Sequence, residues 1–364
     1  MPEPSEDRAP PPRANPDLLG HESAETALRR LFRSGRMPHA MLMTGPRGIG
    51  KATLAYRFAR FVLAYGAMPT ELAALAGEGG TLAIPAESGV FRRVASGGHA
   101  DLLVVERAYD PRRRRLRSEI VVEDTREIGG FLRLTAAEGG WRVVIIDGAD
   151  AMNRSAANAL LKILEEPPRR ALLLLVAHNP GRLLPTIRSR CRRFPMMPLP
   201  PPIVSRLLDT YRPGLPRAQS AALVALADGS IGRALELAEA GGTDLYQAVL
   251  TLLSREPGVD PLALHALADR LARGEADSAY RAVDELLSRL LGEVAVAASG
   301  GVSGDQPLEE ASGVLRRLAA RAPAARWVEL REQVAAGFAR ADALNLDRKQ
   351  TILGAFFAIE RLAR

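Results

Sequence analysis

Residues 41–53 read MLMTGPRGIGKAT. A short apolar run, Ala40 to Met43, stops at Gly45, and a helical pattern begins near Lys51 after a glycine-rich turn. Strand, loop and helix in that order are the context a phosphate-binding loop requires. Gly45, Gly48 and Gly50 let backbone N–H groups turn inward and line an anion site. The following helix adds its positive N-terminal end, and Lys51 can reach the outer phosphates. The spacing G-x-x-x-x-G-K is met in full, but the Ser or Thr that should follow the lysine to hold Mg²⁺ is Ala52. Thr53 is one position late, which on a helix turns it away by about 100°. The loop therefore suits a phosphate and poorly suits the metal. The chain has three lysines (Lys51, Lys162, Lys349) among forty-nine basic residues, so a lysine at position 51 stands against the composition.

A length of 364 residues predicts two or three domains, and 47% hydrophobic with 25% charged residues is ordinary for a globular protein. The longest apolar run, Ala171 to Ala177, is too short to span a bilayer. The start, MPEPSEDRAPPPRANP, is proline-rich without an apolar core, so residues 1–16 are expected to be a disordered tail and not a targeting signal. The single cysteine, Cys191, excludes an internal disulfide framework and any Cys₄ zinc site; a cytoplasmic location is expected. A net charge of +7 permits nucleic-acid contact without demanding it. The five histidines show no ligand spacing.

Outward from the loop, Ala24 to Arg33 predicts an amphipathic helix and Leu54 to Ala64 another. Gly66 to Gly98 is small-residue and weakly patterned, and is expected to hold little regular structure. Asp101-Leu-Leu-Val-Val-Glu106 reads as a buried strand. PRRRRLR, 111–117, carries five arginines; it fits a solvated hairpin or linker and equally a phosphate-backbone contact. Val122 to Leu134 predicts a helix. Trp141-Arg-Val-Val-Ile-Ile-Asp147 is a Walker B pattern, with Asp147 at the carboxyl end of a parallel strand beside the loop. Gly148 stands where such ATPases carry a water-activating Glu, and glycine does no acid–base chemistry. Ser155 is expected to cap a helix from Ala156 to Glu165, closed by Pro167-Pro168. Ala171 to Ala177 is a further strand, with His178-Asn179 at its carboxyl end, and 182–194 lead into a last short strand. Alternating strands and helices predict a parallel sheet flanked by helices over 17–198, a small helical segment over 199–242, and an all-helical third region over 243–364.

The segments GPRGIGKAT, NALLKILEEPP, TIRSRC, GSIGRAL and NLDRKQ, in this order, resemble bacterial clamp-loader subunits, AAA+ proteins of the DNA polymerase III holoenzyme. The resemblance covers most of the chain beyond the tail; NALLKILEEPP followed by SRC is its most specific part. It implies an AAA+ domain with a helical lid and a C-terminal oligomerisation collar. It implies partners: gamma/tau motor subunits and a delta subunit in a ring, the sliding clamp and primed DNA, with no membrane. The Ser-Arg-Cys arginine of the family reaches the neighbouring subunit's ATP, which falls on Arg190; the lid arginine facing the protein's own nucleotide falls on Arg233. Motor subunits keep GK[ST] and a Walker B Glu, so Ala52 and Gly148 favour the delta-prime kind, which commonly has lost its own ATPase. The alternative is a working motor-type ATPase. Many members carry a four-cysteine zinc module after the loop helix; 66–98 here has no cysteine, so no zinc is expected. ATP or ADP is expected to bind weakly at most, without productive magnesium.

Overall fold

The computed structural model describes residues 9–68, 81–110, 115–254, 258–272, 277–301 and 309–364. These divide into two units, residues 1–203 and 204–364. No helix among the described residues is long and apolar enough to cross a membrane.

Among the described residues of the first unit, seven strands are formed: β1 (Ala40–Thr44), β2 (Leu102–Val105), β3 (Tyr109–Asp110), β4 (Arg115–Leu116), β5 (Arg142–Asp147), β6 (Ala171–Ala177) and β7 (Arg192–Pro195). Five of them make one parallel sheet in the order β2-β5-β6-β1-β7. Strand side chains alternate between faces. Met41, Met43, Val143, Ile145, Leu172 and Leu174 therefore join one core, with helices Glu22–Arg33, Lys51–Tyr65 and Gly89–Ser96. Leu42, Val144, Ile146, Leu173 and Leu175 join the other, with Val122–Arg133 and Arg154–Glu165. Because helices cover both faces, β6 is buried at all seven positions, which is why its sequence is an unbroken apolar run.

Three expectations need correction. The tail is ordered at its end: Pro12–Ala14 is a 3₁₀ turn, and Arg60 donates to the carbonyls of Arg13 (3.1 Å) and Asn15 (2.8 Å). The segment after the loop helix is more regular than expected. Ser88 caps Gly89–Ser96 by accepting the Phe91 N–H, and Gly97 closes it in the left-handed conformation. Leu82 and Ile84 are in the core; residues 69–80 of that segment lie outside the described residues. The cap of Arg154–Glu165 is Asn153, whose Oδ1 accepts from Ala156 N–H at 2.9 Å, not Ser155. The arginine-rich stretch is entered by an antiparallel hairpin, Tyr109 opposite Leu116, with residues 111–114 outside the described residues.

Two buried charges organise one flank of this unit. Glu25 and Arg57 pair at 2.7 Å, and the same Glu25 oxygen accepts from Leu82 N–H at 2.7 Å and from the Thr81 hydroxyl at 3.0 Å. Arg57 also donates to the Pro16 carbonyl. One ion pair thus ties the first helix, the loop helix, the N-terminal segment and the inserted segment together.

The second unit is helical throughout its described residues. Helices Arg217–Leu226 and Ile231–Glu239 precede six more, Gly242–Ser254, Pro261–Ala272, Asp277–Ala298, Glu309–Ala319, Ala324–Leu344 and Arg348–Ala363. Asp277–Ala298 is the hub; its Leu286, Leu287, Leu290, Leu291 and Val294 are fully buried, and Tyr280 stacks on Phe338 at 5.1 Å.

Removing one member of a buried ion pair strands the other charge. Arg57→Ala is expected to destabilise the first unit by about 3–5 kcal/mol, while Arg93→Ala, at an exposed pair with Glu138, should cost about 1 kcal/mol or less. Urea denaturation of the two variants checks the contrast; equal losses would remove the structural role assigned to Arg57.

Candidate phosphate-binding site

Parallel strands bring their carboxyl ends to one edge, so β1, β5 and β6 deliver the loop, Asp147 and His178 together. Thr44 accepts from Met196 N–H at 2.7 Å, and this contact sets the loop's first residue. Gly45 has φ 146°, and a Cβ there would lie 2.3 Å from the Met196 carbonyl oxygen. No other residue fits. Gly48 and Gly50 are left-handed, at φ 75° and 101°, as an inward-turned loop backbone requires. Ile49 is fully buried and anchors the loop from below. His21, itself 5% exposed, donates from Nε2 to the Ile49 carbonyl at 2.6 Å.

Lys51 opens the helix Lys51–Tyr65 and is 2% exposed. Its Nζ donates to the Pro46 carbonyl, closing the loop on itself. Burial pushes its pKa down to about 8, against the opposing pull of Asp147 and Asp150. Asp147, at the end of β5, is held above the usual carboxylate range by burial and by the neighbouring Glu106, with Lys51 opposing. Glu106 directly follows β2, whose Val105 pairs with Ile146 of β5, so the two acids end adjacent strands. Asp150 accepts from the N–H groups of His178 (3.1 Å) and Asn179 (2.8 Å), stapling the turn after β5 to the end of β6.

The loop's glycines, buried lysine and helix N-terminus fit a phosphate. Position 52 supplies no hydroxyl for a metal. Gly148 adds a second obstacle. Its backbone is left-handed (φ 80°, ψ 45°), although a Cβ there would meet nothing within 4 Å. Space is available for a side chain, but its conformation costs about 1–2 kcal/mol for any residue with a Cβ.

The structure brings Gly45, Gly48, Gly50, Lys51 and Asp147 to one edge. Arg190 lies outside this group, and Arg233 belongs to the second unit. Arg190 ends the helix Pro185–Arg190, immediately before Cys191 and β7. Its guanidinium donates to Thr186 O at 3.0 Å and to Glu165 Oε1 at 2.8 Å, with about a third of the side chain exposed. Arg233 lies in the second unit, ion-paired with Asp228 Oδ2 at 2.9 Å and with Glu285 Oε2 at 3.2 Å. Burial raises the Cys191 thiol to about 12, so it stays protonated and chemically quiet. Sequence reasoning missed His21, Glu106 and Glu165. Glu106 was signalled by its place at the end of a strand beside Walker B, and Glu165 by NALLKILEEPP; nothing in spacing pointed to His21.

Residues 20–200 match the family model described as DNA polymerase III, delta subunit. The DNA polymerase III subunit delta' of Pseudomonas aeruginosa is 38% identical over 232 residues, covering 62% of this chain and 64% of that protein. The DNA polymerase III subunit tau of Escherichia coli is 30% identical over 317 residues, 85% of this chain and 44% of that one. The matches thus span less than two thirds of each relative's length. Among solved structures, a gamma subunit-related protein of Thermotoga maritima is 18% identical with a TM-score of 0.44, covering 93% of this chain and 99% of that one.

The folded value of Lys51 lies below its ordinary 10.5. Between about 8 and 10.5 the unfolded chain holds a proton the folded chain has lost, so the lysine's contribution to stability rises with pH across that window. The parent protein should therefore gain stability relative to Lys51→Met as pH goes from 8 to 10. Parallel melting curves check this, and a constant difference would mean that Lys51 titrates normally.

Residues 20–200 thus match the DNA polymerase III delta-subunit family, and the proteins this chain is similar to include delta-prime and tau subunits.

Proposed function

We propose that the protein is a non-hydrolysing clamp-loader subunit. In this reading it sits in a ring with gamma/tau motor subunits and a delta subunit, which opens the sliding clamp and places it on primed DNA. It supplies Arg190 to the neighbouring motor subunit's ATP. The observation that carries the reading is the state of its own site: an intact phosphate cradle, with Ala52 in place of the metal-binding hydroxyl and a left-handed Gly148 in place of the water-activating acid. Bound ATP or ADP would be held by the loop N–H groups and Lys51, with Arg233 as the lid contact; the reading includes no productive magnesium and no zinc. The helices from Gly242 to Ala363 serve in this reading as the collar against sister subunits.

A guanidinium supplied in trans stabilises charge developing on the γ-phosphate oxygens and is worth roughly 10³–10⁵ in rate. A surface ion pair is worth about 1 kcal/mol or less. These magnitudes separate the finger from a mere surface arginine. In a reconstituted loader, Arg190→Ala should leave assembly intact, abolish hydrolysis at the one adjoining motor site and lower total ATPase only in part. Unchanged DNA-stimulated ATPase and clamp loading in an intact complex would overturn the reading.

The isolated chain should show negligible ATP hydrolysis. A turnover near 1 s⁻¹ or above, in the ordinary enzyme range, would favour the motor-subunit alternative.

A further inference from the structure

The Arg190 guanidinium is already occupied within its own chain. One terminal nitrogen donates to Thr186 O at 3.0 Å and the other to Glu165 Oε1 at 2.8 Å. Both side chains are part-exposed, 35% for Arg190 and 49% for Glu165, so the pair sits at the rim of the domain where a neighbour could reach it. We infer that Glu165 is a brake on Arg190: it holds the finger in a resting pair, from which an incoming phosphate must take it. The inference rests on the reading of Arg190 given above.

Three physical points carry it. An approaching γ-phosphate meets a neutralised pair, not a free cation, and the carboxylate repels it until the Arg190–Glu165 bond opens. Glu165 is also the last residue of Arg154–Glu165, followed by Glu166. Acids at a helix C-terminus oppose the helix dipole, so neither glutamate is there to stabilise its own helix. Finally, that helix begins at Asn153, three residues after Asp150, which staples the end of β5 to the end of β6 beside the phosphate loop. The helix thus follows closely on the turn that Asp150 anchors at the phosphate edge and ends at the partner of the finger. A shift of the helix alters the Arg190–Glu165 distance directly.

An exposed ion pair is weak, about 0.2–1 kcal/mol, equivalent to about 1.4- to 5-fold. Its strength sets the size of the expected effect. In a reconstituted loader at low salt, Glu165→Gln should raise basal ATPase at the adjoining site about 1.4- to 5-fold, in the absence of clamp and DNA. The fully stimulated rate should hardly change, so stimulation falls by the same factor. The effect should fade toward unity near 1 M salt, where the screening length is about 3 Å. Glu166→Gln, which removes the same charge without the bond, should leave the basal rate alone. In the Arg190→Ala background, Glu165→Gln should do nothing.

A lower basal and stimulated rate in Glu165→Gln, by one common factor, would show that Glu165 orients the finger, and the brake would be overturned. The same rise with Glu166→Gln, or a rise that survives in Arg190→Ala, would overturn it as well. If Arg190→Ala alone leaves hydrolysis intact, the finger itself falls and the brake with it. The proposed function and this inference therefore fail on different results.

Discussion

Strand β1 is the constraint on which the first unit depends. It is hydrogen-bonded on both sides, to β6 and β7, and its residues Ala40 to Met43 are buried, so neither its register nor its direction can slip. A one-residue slip would move Met41 and Met43 out of one core and Leu42 out of the other. Its carboxyl end is pinned by the Met196 N–H, and the same residue's carbonyl oxygen presses on Gly45. The loop therefore leaves the sheet at a point that two strands define. Everything proposed for the nucleotide edge follows from that point.

The charges of the first unit divide by what surrounds them. Arg57 and Glu25 are buried and fully engaged with each other and with backbone groups, and their work is to hold four segments together. Arg60 is likewise buried, stacked 4.4 Å from the Phe91 ring and bonded to two carbonyls. Lys51 differs. It is as buried as these, yet it is answered by one loop carbonyl and by Asp147, whose carboxyl burial holds above its ordinary range. A buried cation with incomplete compensation is an electrostatic opening for an anion. In the proposed reading the site holds a phosphate but lacks the hydroxyl that would hold the metal.

The two defects at that site differ in kind. Ala52 is a loss of one hydroxyl from a helix that remains in place. Gly148 is a change of backbone, since its left-handed conformation starts the 3₁₀ turn that carries Asp150. Asp150 in turn holds the end of β6. Restoring an acid at 148 would strain the turn on which the edge is built, so the altered site is integrated into the fold.

The sequence by itself determined the parallel sheet, the phosphate loop and the places of Lys51 and Asp147. Those features are local: strand burial writes apolar runs, and a loop needing positive φ writes glycine at set intervals. The ordered segment over residues 12–16 was not legible. Its order comes from Arg60 and Arg57, more than forty positions away, and its own proline-rich composition argued against structure. The helix Gly89–Ser96 was hidden for a similar reason, since its weak pattern is fixed by Phe91 and Val94 packing into a core supplied by other segments. Only the tertiary structure decided that His21 holds the loop, that Glu106 stands beside Asp147, and that Arg190 is paired with Glu165. These are contacts between groups 25 to 41 residues apart. Such contacts depend on where strands and helices end in space, which no spacing along the chain records.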